Sequence, residues 1–318
     1  MTNHLHCSRQ NYFTSNPLDR LANHRPTINL QEIMAADAPT YVVPVWQGKH
    51  LMQGNEPVFV PIAQAQHLVQ DQSKWVFLGT REAHHYFAIE VAEEAPDEHP
   101  FWQQQGNFEK LRQASQASER AEAAILGYAQ AMLYWNRNHL YCGRCGSATE
   151  NQWAGHVRVC SNTDCGKKHY PRTDPAIITM ITYQNQALLV RQPHWQPSTR
   201  LSLVAGFVEP GESLEEAVQR EVMEEVGLEV DQVQYQSSQP WPFPGSIMLG
   251  FKAQATHQAF ELLDQELEAA RWFTRAQLKD AVAKEEVLLS SLVSISGVLI
   301  NAWLNEEETE MVMDTAKM

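Results

Sequence analysis

The stretch Gly206–Leu228, GFVEPGESLEEAVQREVMEEVGL, decides how this chain is read. Leu214–Val226 has helix-forming composition, with no Gly or Pro inside it. Ser213 reads as the N-cap, with Glu216 three residues on to complete a capping box, and Gly227 reads as the C′ stop. Glu221, Glu224 and Glu225 then fall at i, i+3 and i+4 on one helical face. Like charges at that spacing cost roughly 0.2–0.5 kcal/mol per exposed pair. Either the face is simply solvated, or a cation sits among the carboxylates. Hard oxygen ligands suit Mg²⁺ or Mn²⁺, and such ions work with substrate phosphates.

Length and charge narrow the classes. A chain of 318 residues is expected to hold about two domains. A net charge of −14 argues against a non-specific binder of double-stranded DNA, which normally carries a basic footprint. It leaves an RNA end open as a substrate, because a metal site holds phosphates locally. No apolar run reaches the roughly 18 residues of a membrane-spanning helix. Residues 1–20 lack the apolar core of a secretory signal, so the expectation is a cytoplasmic protein with no membrane association. The closing Ala316-Lys317-Met318 loosely resembles a relaxed peroxisomal tripeptide, a match too short to carry weight.

Along the chain, residues 1–30 are polar and read as only partly ordered, with Ser15–Arg20 a short turn. From Thr40 to Val91, the runs YVVPVW, PVFVPI, WVFLG and HYFAIEV read as strands. Residues 92–107 read as a polar connector, and Phe108–Trp135 as one long helix. AIITMITY and QALLVR read as a hairpin around Gln184–Asn185, and Leu201–Val204 as a short strand before the box. VQYQSS, IMLGFKAQAT and ARWFT read as later strands, followed by helices from Thr274 to about Lys284 and from Val287 to Leu304. The tail from Asn305 is acidic. The division is therefore 1–138, 139–170, 171–304 and 305–318.

Four of the five cysteines cluster: Cys142 and Cys145, then Cys160 and Cys165, with Cys7 left over. Two Cys pairs at this separation fit a tetrahedral four-cysteine zinc site, closed and therefore structural rather than catalytic. Gly143 and Gly146 would let the backbone turn around the first pair. The basic residues Arg158, Lys167, Lys168 and His169 read as solvated surface, with nucleic-acid contact as the alternative.

Downstream of the box lies Ser238-Gln239-Pro240-Trp241-Pro242-Phe243-Pro244-Gly245-Ser246. Alternating prolines and aromatics exclude a helix and make a poor central strand. They form a stiff edge whose ring faces suit a flat base, or else a connecting loop packed on the core.

The pattern G-x5-E-x7-R-E-U-x-E-E-x-G-U (U aliphatic) across Gly206–Leu228 resembles the Nudix box at every defining position. The array SQPWPFPxS resembles the distinguishing mark of the NADH pyrophosphatases within that family. So does the order of N-terminal β-rich domain, four-cysteine ribbon and box. The resemblance implies an α+β fold, with a β-rich N-terminal domain, a zinc ribbon and a C-terminal Nudix α/β/α sandwich. It implies metal-dependent hydrolysis of NAD(H) to nicotinamide mononucleotide and AMP, removal of NAD caps from RNA 5′ ends, and a homodimer. Glu221, Glu224, Glu225 and Glu266 would be catalytic and would hold Mg²⁺ or Mn²⁺, with the Ala205 carbonyl. Glu212 and Arg220 would brace the box loop. Tyr170 and Phe207 would stack on the base. Arg112, Gln239 to Ser246 and Ser296 would contact substrate. Two stretches depart from the family: Gly155 stands where a Glu can occur, and Ser294-Ile295-Ser296-Gly297 stands for S-I-A-R. Hydrolysis of another diphosphate such as ADP-ribose, or a zinc-ribbon RNA-binding protein with an inert box, are the competing readings.

Overall fold

The computed structural model describes residues 3–29, 32–33, 38–65, 74–91, 99–263 and 266–306. It is a mixed α+β chain, as expected. By internal contacts it divides into two units. The first is Met1–Ala176 with Gln236–Leu249, and the second is Ile177–Tyr235 with Gly250–Met318.

The first unit is built on a sheet of β1 (Thr40–Trp46), β2 (Lys49–Gln53), β3 (Glu56–Pro57), β4 (Val60–Pro61), β5 (Val76–Arg81), β6 (His84–Glu90) and β7 (Asn107–Lys110). The main path runs β3-β2-β1-β6-β5, with β4 on β1 and β7 on β2. β1 and β6 pair in parallel, whereas β5 and β6 are antiparallel. The β-branched and aromatic runs bury Val42, Trp75, Phe77, Phe87 and Ile89 in one core with Trp102 and Phe108. The run PVFVPI is not one strand, because its prolines leave two short bridges and then the helical turn Ile62–Ala65. The connector is not wholly polar loop. Pro100–Gln105 is helical and seats Trp102 in the core, while 92–98 lie outside the described residues.

The expected single helix from Phe108 is β7 followed by two helices, Leu111–Ala117 and Arg120–Asn138. Ser118 ends the first in an extended conformation, its hydroxyl donating to the Ala114 carbonyl. The second packs against β1, β5 and β6. Residues 3–29 are folded, with a helix His4–Arg9 and Phe13 and Leu18 buried. That corrects the expectation of a partly ordered start. The ribbon strands β8 (Thr149–Gln152), β9 (Val157–Cys160) and β10 (Lys168–His169) form a small sheet of their own.

The remaining strands are β11 (Asp174–Tyr183), β12 (Gln186–Arg191), β13 (Arg200–Leu201), β14 (Val204–Phe207), β15 (Val230–Trp241), β16 (Ser246–Ala255), β17 (Ala269–Thr274) and β18 (Leu288–Leu289). The sheet order is β15-β16-β11-β12-β17, with β14 on β11, so β15 is an edge strand. The expected hairpin of β11 and β12 is present around Gln184–Asn185. The apolar run from Val287 is split. Leu288–Leu289 pairs in parallel with Arg200–Leu201, and the helix begins only at Ile295 and ends at Asn305. Residues 307–318, with most of the acidic tail and its terminal tripeptide, lie outside the described residues.

Candidate active site

The box helix runs Leu214–Val226 with both halves of the capping box formed and Gly227 left-handed at its C-terminus. Its apolar face buries Ala217, Val218, Val222 and Val226. Burying that face fixes the helix rotation and so turns Glu221, Glu224 and Glu225 to a common side. Their exposure is graded: Glu225 is buried, Glu221 nearly so, and Glu224 is 55 % exposed.

Arg220 ties the box together. Its guanidinium donates to both oxygens of Glu212 (2.5 and 3.0 Å), to Glu221 and Glu224 (2.9 Å each) and to the Phe207 carbonyl (2.9 Å). The Arg220 hydrogen bond holds the Glu212 carboxyl below the usual carboxylate range. The brace expected of Glu212 and Arg220 is thus a bidentate ion pair. Strand β14 also approaches the helix closely, since a Cβ at Gly206 would collide with the Glu221 carboxylate.

These carboxylates are hard oxygen donors of the kind that suit a divalent cation, although Glu221 and Glu224 are paired to Arg220 here. Burial pushes Glu221 upward despite Arg220, and the negative charges of Glu224 and Glu266 push it further. Glu266, about forty residues downstream in sequence, is therefore close enough in space to act on Glu221. Ala205 and Glu225 line one cavity of about 70 Å³, walled otherwise mainly by Ile178, Val190, Trp195, Leu203 and Leu267, so that Glu225 is its one carboxylate among the described residues. Phe207 is 59 % exposed at the end of β14, and Ser296 is buried with its hydroxyl 2.7 Å from that of Ser202.

The Pro/aromatic array belongs to the first unit. Gln239, Pro240 and Trp241 end β15, residues 242–245 turn, and Ser246 begins β16. Trp241 and Phe243 pack on each other with centroids 4.8 Å apart. The Arg112 guanidinium lies over both rings, at 5.2 and 5.5 Å. Gln130 donates to the Pro242 carbonyl (2.6 Å), and the Asp174 amide to the Gly245 carbonyl (3.0 Å). One face of the array lines a cavity of about 650 Å³, walled elsewhere by Tyr128, Trp135 and Arg172. That is the size of a small-molecule site. Tyr170 is half-exposed and edge-on to Trp153.

Residues 171–291 match the family model described as a NUDIX domain. The C-terminal domain belongs to the Nudix family. Two further matches precede it: a NADH pyrophosphatase-like rudimentary NUDIX domain over 39–135 and a NADH pyrophosphatase zinc ribbon domain over 137–170. Among curated relatives, Nudix hydrolase 19, chloroplastic, of Arabidopsis thaliana is 42 % identical over 218 residues, covering 63 % of this chain and 48 % of that one. The NAD-capped RNA hydrolase NUDT12 of Homo sapiens is 37 % identical, covering 58 % and 42 %. The NAD-capped RNA hydrolase NudC of Stutzerimonas stutzeri is 39 % identical, covering 57 % and 64 %. The chain thus spans about two fifths to two thirds of the length of the curated relatives it matches.

Ahead of the Nudix domain, the four cysteine sulfurs of the ribbon lie within 4.8 Å of one another. Cys142–Cys165 is 3.8 Å and Cys145–Cys160 is 3.4 Å. Tetrahedral zinc with Zn–S of about 2.3 Å requires roughly 3.8 Å between sulfurs, whereas a disulfide requires about 2.05 Å. The set fits a structural zinc ion. Hydrogen bonds from Ser147 bring the Cys145 thiol down to about 6, while burial pushes Cys160 up to about 12. Gly146, not Gly143, takes the left-handed turn (φ +75°).

Two of the basic ribbon residues are not solvated surface. Arg158 is buried and donates to the His139 carbonyl (3.0 Å) and to the Thr149 hydroxyl and carbonyl (2.7 Å each). His169 places Nε2 3.3 Å from the Cys142 sulfur, an outer-shell contact that spacing did not reveal. The two glycines among the departures from the family pattern sit where backbone crowds. A Cβ at Gly155 would meet the Val76 backbone at 2.8 Å, and one at Gly297 would run into the Ser290 and Ser291 carbonyls. Sequence reasoning also missed Gln130 and the residues before Leu18 that touch the array. Their only signal was polar or aromatic identity far away in the chain.

Proposed function

We propose that this chain hydrolyses the pyrophosphate bond of NAD(H) to nicotinamide mononucleotide and AMP, and removes NAD caps from RNA 5′ ends. The observation that carries the reading is the acidic face of the box helix braced by Arg220, in a chain that also carries the Pro/aromatic array. In this reading the catalytic residues are Glu221, Glu224, Glu225 and Glu266. A Mg²⁺ or Mn²⁺ ion held by them and by the Ala205 carbonyl would neutralise the pyrophosphate and lower the pKa of water. Glu225 or Glu266 takes the proton of the attacking water. The oxygen attacks one phosphorus in line, the bond to the bridging oxygen breaks, and a nucleotide monophosphate leaves. Arg220 keeps Glu221 and Glu224 in place during that exchange. Tyr170 and Phe207 stack on the base, while Arg112, residues 239–246 and Ser296 select it. The division into 1–138, 139–170, 171–304 and 305–318, a homodimer and a cytoplasmic location belong to the same reading. Among the described residues no helix is long and apolar enough to cross a membrane.

The test is one incubation in Mn²⁺ with NADH, NAD-capped RNA and ADP-ribose side by side. AMP from NADH and decapped RNA ends support the proposal. Turnover of ADP-ribose alone would make the chain a Nudix hydrolase of another diphosphate, and no turnover of any would leave an inert box.

A further inference from the structure

The segment before the rudimentary Nudix match at residue 39 packs against the array, and its Phe13 lines the same cavity as Trp241. Asn11 is 1 % exposed, and its amide donates to the Ser238 carbonyl (2.8 Å) and the Ser237 hydroxyl (3.2 Å). Ser8 Oγ accepts from the Ser238 amide (3.0 Å), and the Tyr12 carbonyl accepts from the buried Gln239 side chain (3.2 Å). Phe13 sits edge-on to Trp241 and Phe243, centroids 6.5 and 5.9 Å away. Arg120 fixes the segment in turn, donating to the Gln10 carbonyl and lying over the Tyr12 ring at 5.0 Å.

Three features show that this seat is built rather than incidental. Phe13 is buried in a left-handed backbone conformation (φ +67°), which a bulky residue adopts only when its surroundings impose it. Its ring also occupies the space of a side chain on the long helix: a Cβ at Gly127 would lie 2.6 Å from Phe13 Cδ1. A mid-helix glycine costs about 1 kcal/mol relative to alanine. Gly127 therefore weakens its own helix where that makes room for Phe13. Asn11 adds a buried Oδ1 without a hydrogen-bond partner among the described residues, so its two amide donations are what hold it in place.

We infer that Asn11 and Phe13 are positioning residues for substrate selection, which set the conformation of Trp241–Pro244 without themselves reacting. The inference rests on the reading that this array selects the substrate base. It gives the N-terminal segment a part in specificity that no matched domain assigns to it.

The experiment uses the full chain. Asn11→Asp keeps the shape and removes both donors, and Gly127→Ala displaces the Phe13 ring while raising helix propensity. Ser8→Ala, at a half-buried side chain, serves if the first variant does not fold. NADH kinetics and hydrogen exchange by mass spectrometry are measured on each. The expected result is a KM raised about ten-fold with kcat within about two-fold, as loss of one or two buried hydrogen bonds predicts. Exchange should quicken within 236–249 and stay slow in β1 and β6. Wild-type KM together with wild-type exchange at 236–249 would overturn the inference. So would faster exchange spread over the whole first unit with kcat falling alongside. If the wild-type chain does not turn over NADH, the proposed function fails and exchange at 236–249 alone decides the positioning role.

Discussion

Arg220 engages three carboxylates and a carbonyl, and its planar fork is what allows it. Lysine at this position offers one point charge and loses the bidentate grip on Glu212. Arg220→Lys should therefore lower stability by about 1–3 kcal/mol, read from urea denaturation; an unchanged midpoint would contradict the brace. These box residues were legible because helical spacing alone places i, i+3 and i+4 together. Arg158 was not legible. Its carbonyl partners come from His139 and Thr149, and nothing in a basic residue's neighbours in sequence tells a buried guanidinium from a solvated one. Arg158→Met should cost about 1–3 kcal/mol by leaving those buried carbonyls without their donor. A melting temperature equal to wild type would return Arg158 to the surface role first expected of it.

At the level of elements, local signals read well where the chain obeys them locally. The capping box at Ser213, the left-handed Gly227 and the β11–β12 hairpin all stand where their residues imply. The failures share a cause. The break at Ser118 interrupts no apolar periodicity, so one helix and two look alike in sequence. Leu288–Leu289 is strand only because Arg200–Leu201 is there to pair with it. The ribbon gives a direct test at this scale. Stripping zinc with a chelator should lower the melting temperature and quicken exchange between residues 142 and 165, because the sulfurs hold a segment with little apolar core. Melting that ignores zinc removal would refute a structural zinc.

For the whole molecule, module order was legible but the grouping of segments was not. The hairpin tip Gln236–Leu249 groups with residues 1–176, through partners such as Asn11 that are more than two hundred positions away. Burial also makes stability respond to acid. His50 and His156 are held neutral by desolvation, each lowered from 6.5 to about 4. The unfolded chain binds those protons first, so this contribution is complete above about pH 6.5 and is lost as pH falls towards 4. Urea midpoints should decline across that window, and less steeply in His50→Gln/His156→Gln; equal slopes would contradict the assignment. The most direct measurement of the central claim is mass-spectrometric analysis of NADH incubated in Mg²⁺ or Mn²⁺ with wild type and with Glu225→Gln. The account predicts the mononucleotides from wild type and a loss of turnover by orders of magnitude in the variant, with its circular dichroism and melting preserved. Near wild-type turnover by Glu225→Gln, or intact NADH after incubation with the wild-type chain, would contradict it.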